Sequence, residues 1–301
     1  MGFLLQESYT PQRGTEQSPV LLGCLVHKGD KDMTKVIVAG AAGRMGKRVG
    51  YMVTQNPQLQ LVGGFEQAGS PLVGKDMGEV GGYGPTGIVI SPGLESVIDR
   101  GDVIIDFTFH AATMGFARIA ARHGKAMVIG TTGLSQENLA ELRELARQIP
   151  IVQAPNMAVG VNVLFKLTQK VAAILGNDYD IEIVEAHHRM KKDAPSGTAL
   201  KLGEMAALGV GRDLSKVGVF ARNGIIGERT NEEIGIQTIR AGDIVGEHTV
   251  YFAGPGERIE LTHRAHSRDN FARGAAVAAA WVAGKANGMY TMFDVLGLTD
   301  L

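Results

Sequence analysis

The sequence predicts a two-domain α/β protein, in which a doubly wound parallel sheet is followed by a second α+β domain with an open mixed sheet. The chain has 301 residues, about twice the roughly 150 residues that one domain typically uses. Short apolar runs alternate with helical patterns as far as Asn156, which is typical of a parallel sheet covered on both faces. Beyond Asn156 several strand-like runs follow one another, which indicates a mixed sheet.

The composition is that of a globular protein and excludes several classes of function. Thirty basic residues balance 31 acidic residues, for a net charge of −1, which argues against a protein that mainly binds nucleic acid or anionic membranes. The 45% share of hydrophobic residues excludes a disordered chain. The 41 glycines far exceed the usual share of roughly 7%, so we expect many tight turns or close backbone approaches.

Cysteine usage and apolar patterning predict a cytoplasmic protein. The single cysteine, Cys24, excludes an internal disulfide and favours a reducing compartment. The apolar stretch Ala275–Ala283 is far shorter than the roughly 20 residues of a membrane span, so we expect no transmembrane helix. The run Val20–Val26 is apolar, but no basic region precedes it, which makes it a poor secretory signal.

The first 32 residues show neither helical nor strand periodicity, and we expect them to be a dispensable leader. The first clear element starts at Thr34, directly after an internal methionine, Met33. From there the pattern predicts strands at Lys35–Gly40, Gln58–Phe65, Gly87–Ile90, Asp102–Phe107, Ala126–Ile129 and Ile151–Gln153. It predicts helices that end near Asn56 and that span Ala111–His123 and Ser135–Gln148.

The second half of the chain has a different order of elements. The pattern predicts a helix at Val159–Leu175, a strand at Tyr179–Ala186 and a helix that begins near Gly197. Strand-like runs follow at Val217–Ala221, Ile234–Ala241, Glu247–Ala253 and Arg258–His266. The alanine-rich segment Asp269–Ala286 is again helical, with Asp269 as its predicted N-cap.

A glycine-rich turn, Gly40-Ala41-Ala42-Gly43-Arg44-Met45-Gly46, follows the first predicted strand and opens the first helix. Glycines let the backbone approach a pyrophosphate closely, and the free N–H groups of the helix attract it. The spacing alone is weak evidence, because an ordinary strand-to-helix turn has the same pattern. Glu66 at the end of the second strand strengthens the dinucleotide interpretation, since a carboxylate there accepts hydrogen bonds from ribose hydroxyls.

The choice between NADH and NADPH stays open at this point. The Glu66 carboxylate repels a 2′-phosphate, and its neighbour Gln67 adds no positive charge. Basic side chains of the first helix, such as Arg44 and Lys47, can still supply positive charge. The sequence is therefore compatible with both nicotinamide cofactors.

Two further turns follow predicted parallel strands. They are Gly130-Thr131-Thr132-Gly133 and Ala154-Pro155-Asn156-Met157. Both are expected at the carboxyl ends of strands, which is the edge where open α/β sheets bind ligands. Taken singly, each is equally consistent with a loop that has good turn chemistry.

The densest chemistry lies in the segment Glu185–Thr198, where seven of fourteen side chains are ionisable. Such crowding is costly in a core but useful around a charged substrate. Ser196, followed by Gly197 and Thr198, predicts a helix start whose free N–H groups, with Lys191, hold a carboxylate ligand. A histidine here can exchange a proton near neutral pH. The alternative interpretation is a solvated basic loop with a helix cap.

The adjacent histidines of this segment restrict the interpretation further. If the strand continued through His187 and His188, their side chains would point to opposite faces. Either the strand ends before them or only one of them is catalytic. The sequence has no H-x-x-x-H or H-E-x-x-H spacing, so we predict no metal site. It also has no G-x-S-x-G elbow, which argues against a serine hydrolase.

The motifs together resemble the 4-hydroxy-tetrahydrodipicolinate reductase family, also called dihydrodipicolinate reductase, of lysine biosynthesis. The resemblance covers nearly the whole chain after Met33, in family order. It rests on VAGAAGRMG at Val38–Gly46, IDFT at Ile105–Thr108, GKAMVIGTTG at Gly124–Gly133, NMAVGVNV at Asn156–Val163, EAHHRMKKDAPSGTAL at Glu185–Leu200 and RAGDIVGEHT at Arg240–Thr249.

This resemblance implies a Rossmann-like dinucleotide domain of residues 33–156 and 267–301, and a substrate-binding and oligomerisation domain of residues 157–266. It implies NADH- or NADPH-dependent reduction of the dehydrated form of 4-hydroxy-tetrahydrodipicolinate to tetrahydrodipicolinate, on the route to diaminopimelate and lysine. It also implies a homotetramer joined through the open sheet of the second domain. The implied partner is a small dicarboxylate substrate, with neither nucleic acid nor membrane involved.

The resemblance also implies roles for individual residues. His187 would be the proton donor or acceptor, Lys191 a second proton donor, and His188, Gly197 and Thr198 would bind substrate. The implied cofactor contacts are Gly40, Ala41, Ala42, Gly43, Arg44, Met45, Glu66, Gly130, Thr131, Thr132, Ala154, Pro155, Asn156 and Met157.

Three positions depart from the usual family pattern. Gln67 stands where an arginine often follows the ribose-binding glutamate, and Phe109-His110 stands where Arg-Pro is common. Both departures weigh against NADPH. Met157 stands where an aromatic residue is common, and its flexible thioether can fill the same space.

Two rival interpretations remain open. One is another two-domain amine or amino-acid dehydrogenase, which has no reason to carry the histidine–lysine segment. The other is a non-catalytic dinucleotide sensor.

Overall fold

The computed structural model describes residues 33–301, which build two β-sheets with helices packed against them. Residues 1–32, which include Cys24 and the Val20–Val26 run, lie outside the described residues. The elements up to the middle of the chain are β1 (Thr34–Ala39), α1 (Arg44–Thr54), β2 (Leu59–Glu66), α2 (Met77–Gly81), β3 (Ile90–Pro92), β4 (Val103–Asp106), α3 (His110–Arg122), β5 (Ala126–Ile129), α4 (Gln136–Leu145) and β6 (Pro150–Gln153).

The elements of the remaining chain complete the second sheet and then return to the first. They are α5 (Val159–Leu175), β7 (Asp180–His187), α6 (Gly197–Gly209), α7 (Leu214–Val217), β8 (Gly218–Val219), β9 (Ile234–Arg240), β10 (Gly246–Gly254), β11 (Glu257–Ala265), α8 (Asp269–Val282), β12 (Gly288–Tyr290) and α9 (Met292–Val295).

The first sheet has seven strands in the order β12-β6-β5-β4-β1-β2-β3, and all neighbours pair in parallel. The strand order reverses between β1 and β4, and every strand ends at the same edge of the sheet. Alternate residues of β1 enter different cores, with Val36 and Val38 facing α1 and α8 while Ile37 and Ala39 face α3. The predicted doubly wound parallel sheet is confirmed.

Burial on both faces explains why these strands appear as continuous apolar runs in the sequence. Seven of the eight residues of β4 and β5 are buried apolar residues. Each fully buried valine or isoleucine contributes roughly 1.5–3 kcal/mol relative to an exposed one. The eighth residue is Asp106 at the end of β4, which is buried with hydrogen bonds from the Thr108 N–H and the Thr113 hydroxyl; without such partners a buried polar residue would add a desolvation penalty.

Helix α8 returns to the first sheet, where small side chains allow a close approach. Buried alanines line the helix, and it packs against α1 and against β4, β5 and β6. Asp269, the predicted N-cap, has another role: both of its oxygens pair with Arg48, at 2.5 and 2.6 Å. The N-cap is Arg268, which makes no side-chain cap hydrogen bond. The cap prediction is wrong because the arginine of α1 takes up the carboxylate.

The second sheet has five strands in the order β11-β10-β7-β9-β8. β10 is antiparallel to β7 and β11, whereas β9 is parallel to β7 and β8, so the sheet is mixed as predicted. Helices α5 and α6 cover one face, where Ile183, Ile236, Val250 and Phe252 form the core. No helix among the described residues covers the opposite face, where Arg222 and Arg229 bind Glu182 and where Ile239 is exposed.

Helix α5, extended by the turn that follows it, is long and apolar enough to cross a membrane by length and composition alone, over Val159–Asp178. A core helix of a folded domain meets the same criterion, so the expectation of no transmembrane helix stays a prediction. In the folded chain α5 packs along α6 and against β11, and it buries the polar side chains of Asn162 and Thr168. Its apolar face is part of the core above the second sheet.

Two strand predictions needed correction at their ends. β3 begins at Ile90 instead of Gly87, because the Asp76 carboxylate accepts hydrogen bonds from backbone N–H groups on both sides of a loop, including those of Gly78 and Gly87. β8 ends at Val219, after which Arg222 turns away to pair with carboxylates of neighbouring segments. The three-residue strand β12 was not foreseen, since so short a segment shows no periodicity.

Close contact between α8 and the Met157 backbone gives a test of this packing. A Cβ atom at Gly274 of α8 would overlap the Met157 carbonyl oxygen. We expect Gly274→Ala to lower the free energy of unfolding by about 1–3 kcal/mol, because the helix must shift. Gly115 of α3 is the matched control, since a Cβ there meets nothing within 4 Å.

Gly115→Ala should instead raise the free energy of unfolding by about 0.5–1 kcal/mol, because alanine is the better helix former. Urea unfolding of both variants beside the original chain measures the two effects. A stabilised Gly274→Ala protein would contradict the close approach of α8 to Met157.

Candidate active site

The glycine turn between β1 and α1 has the features of an anion-binding site. Gly40 has a φ of +60°, and a Cβ atom there would lie 2.8 Å from the Thr108 Cγ2 atom. The N-cap of α1 is Gly43, which provides no side-chain cap, and no acidic residue lies in the first turn. The N–H groups of that turn are therefore available to a phosphate group, and the turn itself has no acidic side chain to repel it.

Glu66 ends β2 directly beside this turn. Its Oε1 atom accepts a hydrogen bond from the Ala42 backbone N–H at 2.9 Å. The carboxylate is thus held at the sheet edge next to the glycine turn, at the position expected for ribose recognition. Gln67 follows as an exposed residue outside the strand.

Two other predicted cofactor segments reach the same edge. Gly130–Thr132 follows β5, and Ala154–Met157 follows β6. Thr131 is 4% exposed, and its Oγ1 atom has no hydrogen-bond partner within the described residues. An orphaned hydroxyl at the ligand-binding edge fits a bound group that completes its hydrogen bonding. The four segments that the sequence suggested for a dinucleotide therefore lie along one edge, and their chemistry fits that cofactor.

His187 is the last residue of β7 and faces the helix-covered side of the second sheet. Its Nδ1 atom lies 2.6 Å from the Oε2 atom of Glu185, two residues earlier on the same face. Arg240, the last residue of β9, donates to both oxygens of that carboxylate at 2.8 Å. The carboxylate also accepts a hydrogen bond from the Ser196 backbone N–H at 2.9 Å.

The Glu185 carboxyl is ionised despite its complete burial. Burial alone would raise its pKa, but the hydrogen bonds from His187, Arg240 and the Ser196 backbone outweigh that effect. They hold the pKa of Glu185 well below its usual value. An ionised carboxylate only accepts hydrogen bonds, so His187 carries a proton on Nδ1. Its Nε2 atom bonds to no described residue and reaches solvent, which leaves it available for proton exchange.

His248 of β10 lies beneath this histidine. The two imidazole rings meet edge to face with 5.1 Å between their centroids, and the His248 Nε2 atom lies 3.2 Å from the Ser196 Oγ atom. Burial and, next, the electrostatic effect of the neighbouring His187 lower the pKa of His248 to about 3. His248 is therefore neutral at every pH at which the protein would work.

Lys191 lies in the turn that follows β7. Its backbone N–H donates to the His188 carbonyl oxygen at 3.0 Å, and its Nζ atom pairs with Asp193 at 3.0 Å. The His188 ring makes no hydrogen bond to the residues that the structure describes. β7 ends at His187, so the His188 ring belongs to the turn and lies on neither face of the strand.

Ser196 caps α6, because its hydroxyl accepts a hydrogen bond from the Ala199 N–H at 3.1 Å. Gly197 and Thr198 lie in the first turn of this 13-residue helix, and that turn contains no acidic side chain. The Thr198 hydroxyl accepts a hydrogen bond from the Asn156 side-chain amide at 3.1 Å. A predicted substrate residue and a predicted cofactor residue are thus in direct contact.

Sequence reasoning missed several residues of this site. Arg240, Thr238 and His248 surround the pair of Glu185 and His187, yet none was singled out for a role. The only available signal was the motif Arg240–Thr249, whose charged and histidine residues end a predicted strand and begin the next.

Within residues 33–301, no group of three or more His, Cys, Asp or Glu side chains is arranged to hold a metal ion.

The neutral state of His248 gives a prediction for stability against pH. The folded chain holds this imidazole unprotonated down to about pH 3, whereas in the unfolded chain it takes up a proton below its ordinary pKa of 6.5. Acid therefore favours the unfolded state, and stability is lost as the pH falls from about 6.5 towards 3, by at most about 1.4 kcal/mol per pH unit.

Urea unfolding at several pH values between about 7 and 5, for the original chain and for His248→Gln, measures this dependence. Glutamine does not titrate, so we expect a smaller loss of stability on acidification than in the original chain. An equal loss in both proteins would show that His248 already titrates normally in the folded state.

Comparison with known proteins identifies the family. Residues 34–157 match the N-terminal domain of dihydrodipicolinate reductase, and residues 160–296 match its C-terminal domain. A 4-hydroxy-tetrahydrodipicolinate reductase of Desulfotalea psychrophila is 69% identical over 269 residues, which cover 89% of this chain and 100% of the relative. The reductase of Syntrophobacter fumaroxidans is 55% identical over 266 residues, which cover 88% of this chain and 100% of the relative.

Solved structures share the fold at low sequence identity. A dipicolinate-bound dihydrodipicolinate reductase from Paenisporosarcina sp. TG-14 has a TM-score of 0.68 and 24% identity, over 87% of this chain and 99% of that one. An amine dehydrogenase from Mycobacterium smegmatis has a TM-score of 0.53 and 15% identity, over 88% and 96% of the two chains. Fold alone does not separate these activities. The two family matches and the close relatives do, and the chain belongs to the 4-hydroxy-tetrahydrodipicolinate reductase family, an oxidoreductase family of lysine and diaminopimelate biosynthesis.

Proposed function

We propose that the chain reduces the dehydrated form of 4-hydroxy-tetrahydrodipicolinate with NADH, and that His187 and Lys191 supply the proton chemistry. The observation that best supports this assignment is the contact between Asn156 and Thr198. This contact places two sites side by side. The edge of the first sheet is suited to bind a dinucleotide, and the start of α6 is suited to bind a substrate carboxylate. Hydride transfer requires its two reactants to be held next to each other.

The cofactor edge would bind NADH through backbone and carboxylate groups. The free N–H groups at the start of α1 would take the pyrophosphate, and Glu66 would take the ribose hydroxyls. The segments Gly130–Thr132 and Ala154–Met157 would line the rest of the site along the same edge. NADH, once bound, supplies the hydride.

The second domain would hold the dicarboxylate substrate and deliver protons. Lys191, His188 and the N–H groups of Gly197 and Thr198 provide positive charge and donors for two carboxylates. Hydride addition to the conjugated C=C–C=N system builds negative charge towards nitrogen, which an acid must neutralise. His187, with Nδ1 bonded to Glu185 and Nε2 open to solvent, is suited to exchange that proton, and Lys191 is suited to donate a second.

NADH is the proposed cofactor because neither Gln67 nor Phe109, at the two positions where the family often has arginine, adds positive charge near Glu66. The Glu66 carboxylate forms no ion pair within the described residues, and its only hydrogen bond there is to the Ala42 backbone. Gln67 is uncharged and exposed, and Phe109, 59% exposed, lies against the His110 ring in a tilted contact, with 3.9 Å between the ring centroids. A 2′-phosphate would meet the carboxylate without compensation.

The assembly, the domain division and the compartment are also proposals. Residues 33–156 and 267–301 would bind the cofactor, which the packing of α8 on α1 supports. Residues 157–266 would bind substrate and form a cytoplasmic homotetramer through the uncovered face of the second sheet, where Ile239 is 47% exposed. A monomeric mass in light scattering would contradict the tetramer.

The primary assay follows oxidation of NADH and of NADPH by the purified chain with freshly generated 4-hydroxy-tetrahydrodipicolinate. We expect oxidation that depends on this substrate, with a higher kcat/KM for NADH. Gln67→Arg should raise kcat/KM for NADPH by roughly tenfold or more, because a charge-assisted hydrogen bond contributes about 1.5–3 kcal/mol.

Tight NADH binding without oxidation would overturn the proposed activity and favour a sensor or another dehydrogenase. Equal kcat/KM values for both cofactors in the original chain would overturn the NADH preference alone.

Two substitutions test the assigned proton and substrate roles. His187→Ala should lower kcat by roughly 10²–10⁴-fold with NADH affinity unchanged, because the cofactor edge lies in the other sheet. Lys191→Ala should raise the KM for the substrate as well as lower kcat. Lys192→Ala, at the adjacent exposed lysine, is the matched control. An unchanged kcat in His187→Ala would remove that residue from the mechanism.

A further inference from the structure

We infer that Glu185 and Arg240 form a positioning pair that fixes the orientation and the protonated nitrogen of His187 for proton transfer. The inference rests on the proposed function of His187. Neither residue is suggested to touch the substrate, so both would act through the imidazole. The hydrogen bonds of the Glu185 carboxylate connect His187 of β7, Arg240 of β9 and the start of α6.

Arg240 holds the Glu185 carboxylate in place, and the carboxylate in turn holds the His187 imidazole. The Arg240 Nη1 and Nη2 atoms donate to Oε2 and Oε1 of Glu185, each at 2.8 Å, so the carboxylate plane is fixed from two points. The Oε2 atom then faces the His187 Nδ1 atom at 2.6 Å. This arrangement selects the tautomer protonated on Nδ1 and leaves Nε2 as the exchanging nitrogen.

The space around the imidazole supports the same orientation. A Cβ atom at Gly246 would lie 3.0 Å from the His187 Nε2 atom, which is tighter than nine in ten real Cβ contacts. The absence of a side chain at Gly246 therefore keeps Nε2 unobstructed. His248 supports the ring from below in an edge-to-face contact. The ring is thus held by a hydrogen bond at one nitrogen and left free at the other.

The same carboxylate also positions the substrate-binding groups. Its Oε1 atom accepts from the Ser196 N–H, which fixes the start of α6, and the Arg240 Nη2 atom donates to the Asp193 carbonyl oxygen at 2.6 Å. Asp193 in turn pairs with Lys191. A change at Glu185 is therefore expected to affect kcat through His187 and KM through these contacts.

A purely structural role is the alternative for this buried ion pair. On average, buried ion pairs add little net stability compared with apolar residues of equal volume, because two charges must be desolvated. Removal of one partner is costly in either case, so a loss of stability alone does not distinguish the two roles. The distinguishing property is whether the effect on kcat requires His187.

The test is a double-mutant cycle that compares Glu185→Gln, His187→Ala and the double variant, with kcat, substrate KM and NADH affinity measured for each. We expect Glu185→Gln to lower kcat by roughly 10–10²-fold with unchanged NADH affinity. In the His187→Ala background the same replacement should leave kcat unchanged, while the rise in KM persists.

Glu141→Gln is the control, since Arg118 binds the Glu141 carboxylate at two points as well, between α3 and α4 and away from the site. Arg240→Lys provides a second arm in case glutamine at 185 prevents folding. Lysine keeps the charge but cannot bond to both oxygens, and we expect a loss of kcat that also disappears in the His187→Ala background.

Additive losses of kcat in the double variants would overturn the positioning role, because Glu185 or Arg240 would then act without His187. A normal kcat in His187→Ala alone would instead overturn the proposed function of that histidine, and the positioning role with it. The two failures are distinguished by the single variant His187→Ala.

Discussion

The arrangement of the second domain depends on the buried carboxylate of Glu185. This side chain has no exposure to water, so its charge must be compensated within the protein. The compensating groups come from three places: Arg240 at the end of β9, the Ser196 backbone at the start of α6, and His187 on the same strand. The relative positions of these elements are therefore fixed by a single charge. The residues that would handle protons and substrate are positioned by the same bonds.

The ligand-binding edge of the first domain offers free backbone N–H groups. Its central strands are apolar except for the buried Asp106, whose oxygens accept hydrogen bonds from Thr108 and Thr113. The start of α1 has no side-chain cap and no acidic residue in its first turn, which makes it complementary to a pyrophosphate. Asn156 connects the ligand-binding edge of the first domain to the second domain, because its side-chain amide donates a hydrogen bond to the Thr198 hydroxyl.

Local patterns in the sequence predicted the fold well, and long-range pairing explains what they missed. The apolar runs and the glycine turn were sufficient for the parallel sheet, since burial on both faces is a property of each strand by itself. The partner of Glu185 is Arg240, 55 residues later, and Arg48 pairs with Asp269, 221 residues later. No periodicity encodes such a pairing. The carboxylate of Asp269 was therefore assigned to a helix cap, although the arginine was its partner.

The period of two along β7 connects the core to the site. Ile181, Ile183, Glu185 and His187 all lie on the helix-facing side, so the alternation that buries two isoleucines also delivers the carboxylate and the imidazole. A slip of one residue would turn all four to the other face. The apolar core therefore sets the register of this strand, and the orientation of His187 follows from it. His188 falls after the last strand position, which explains why only one of two adjacent histidines is held by Glu185.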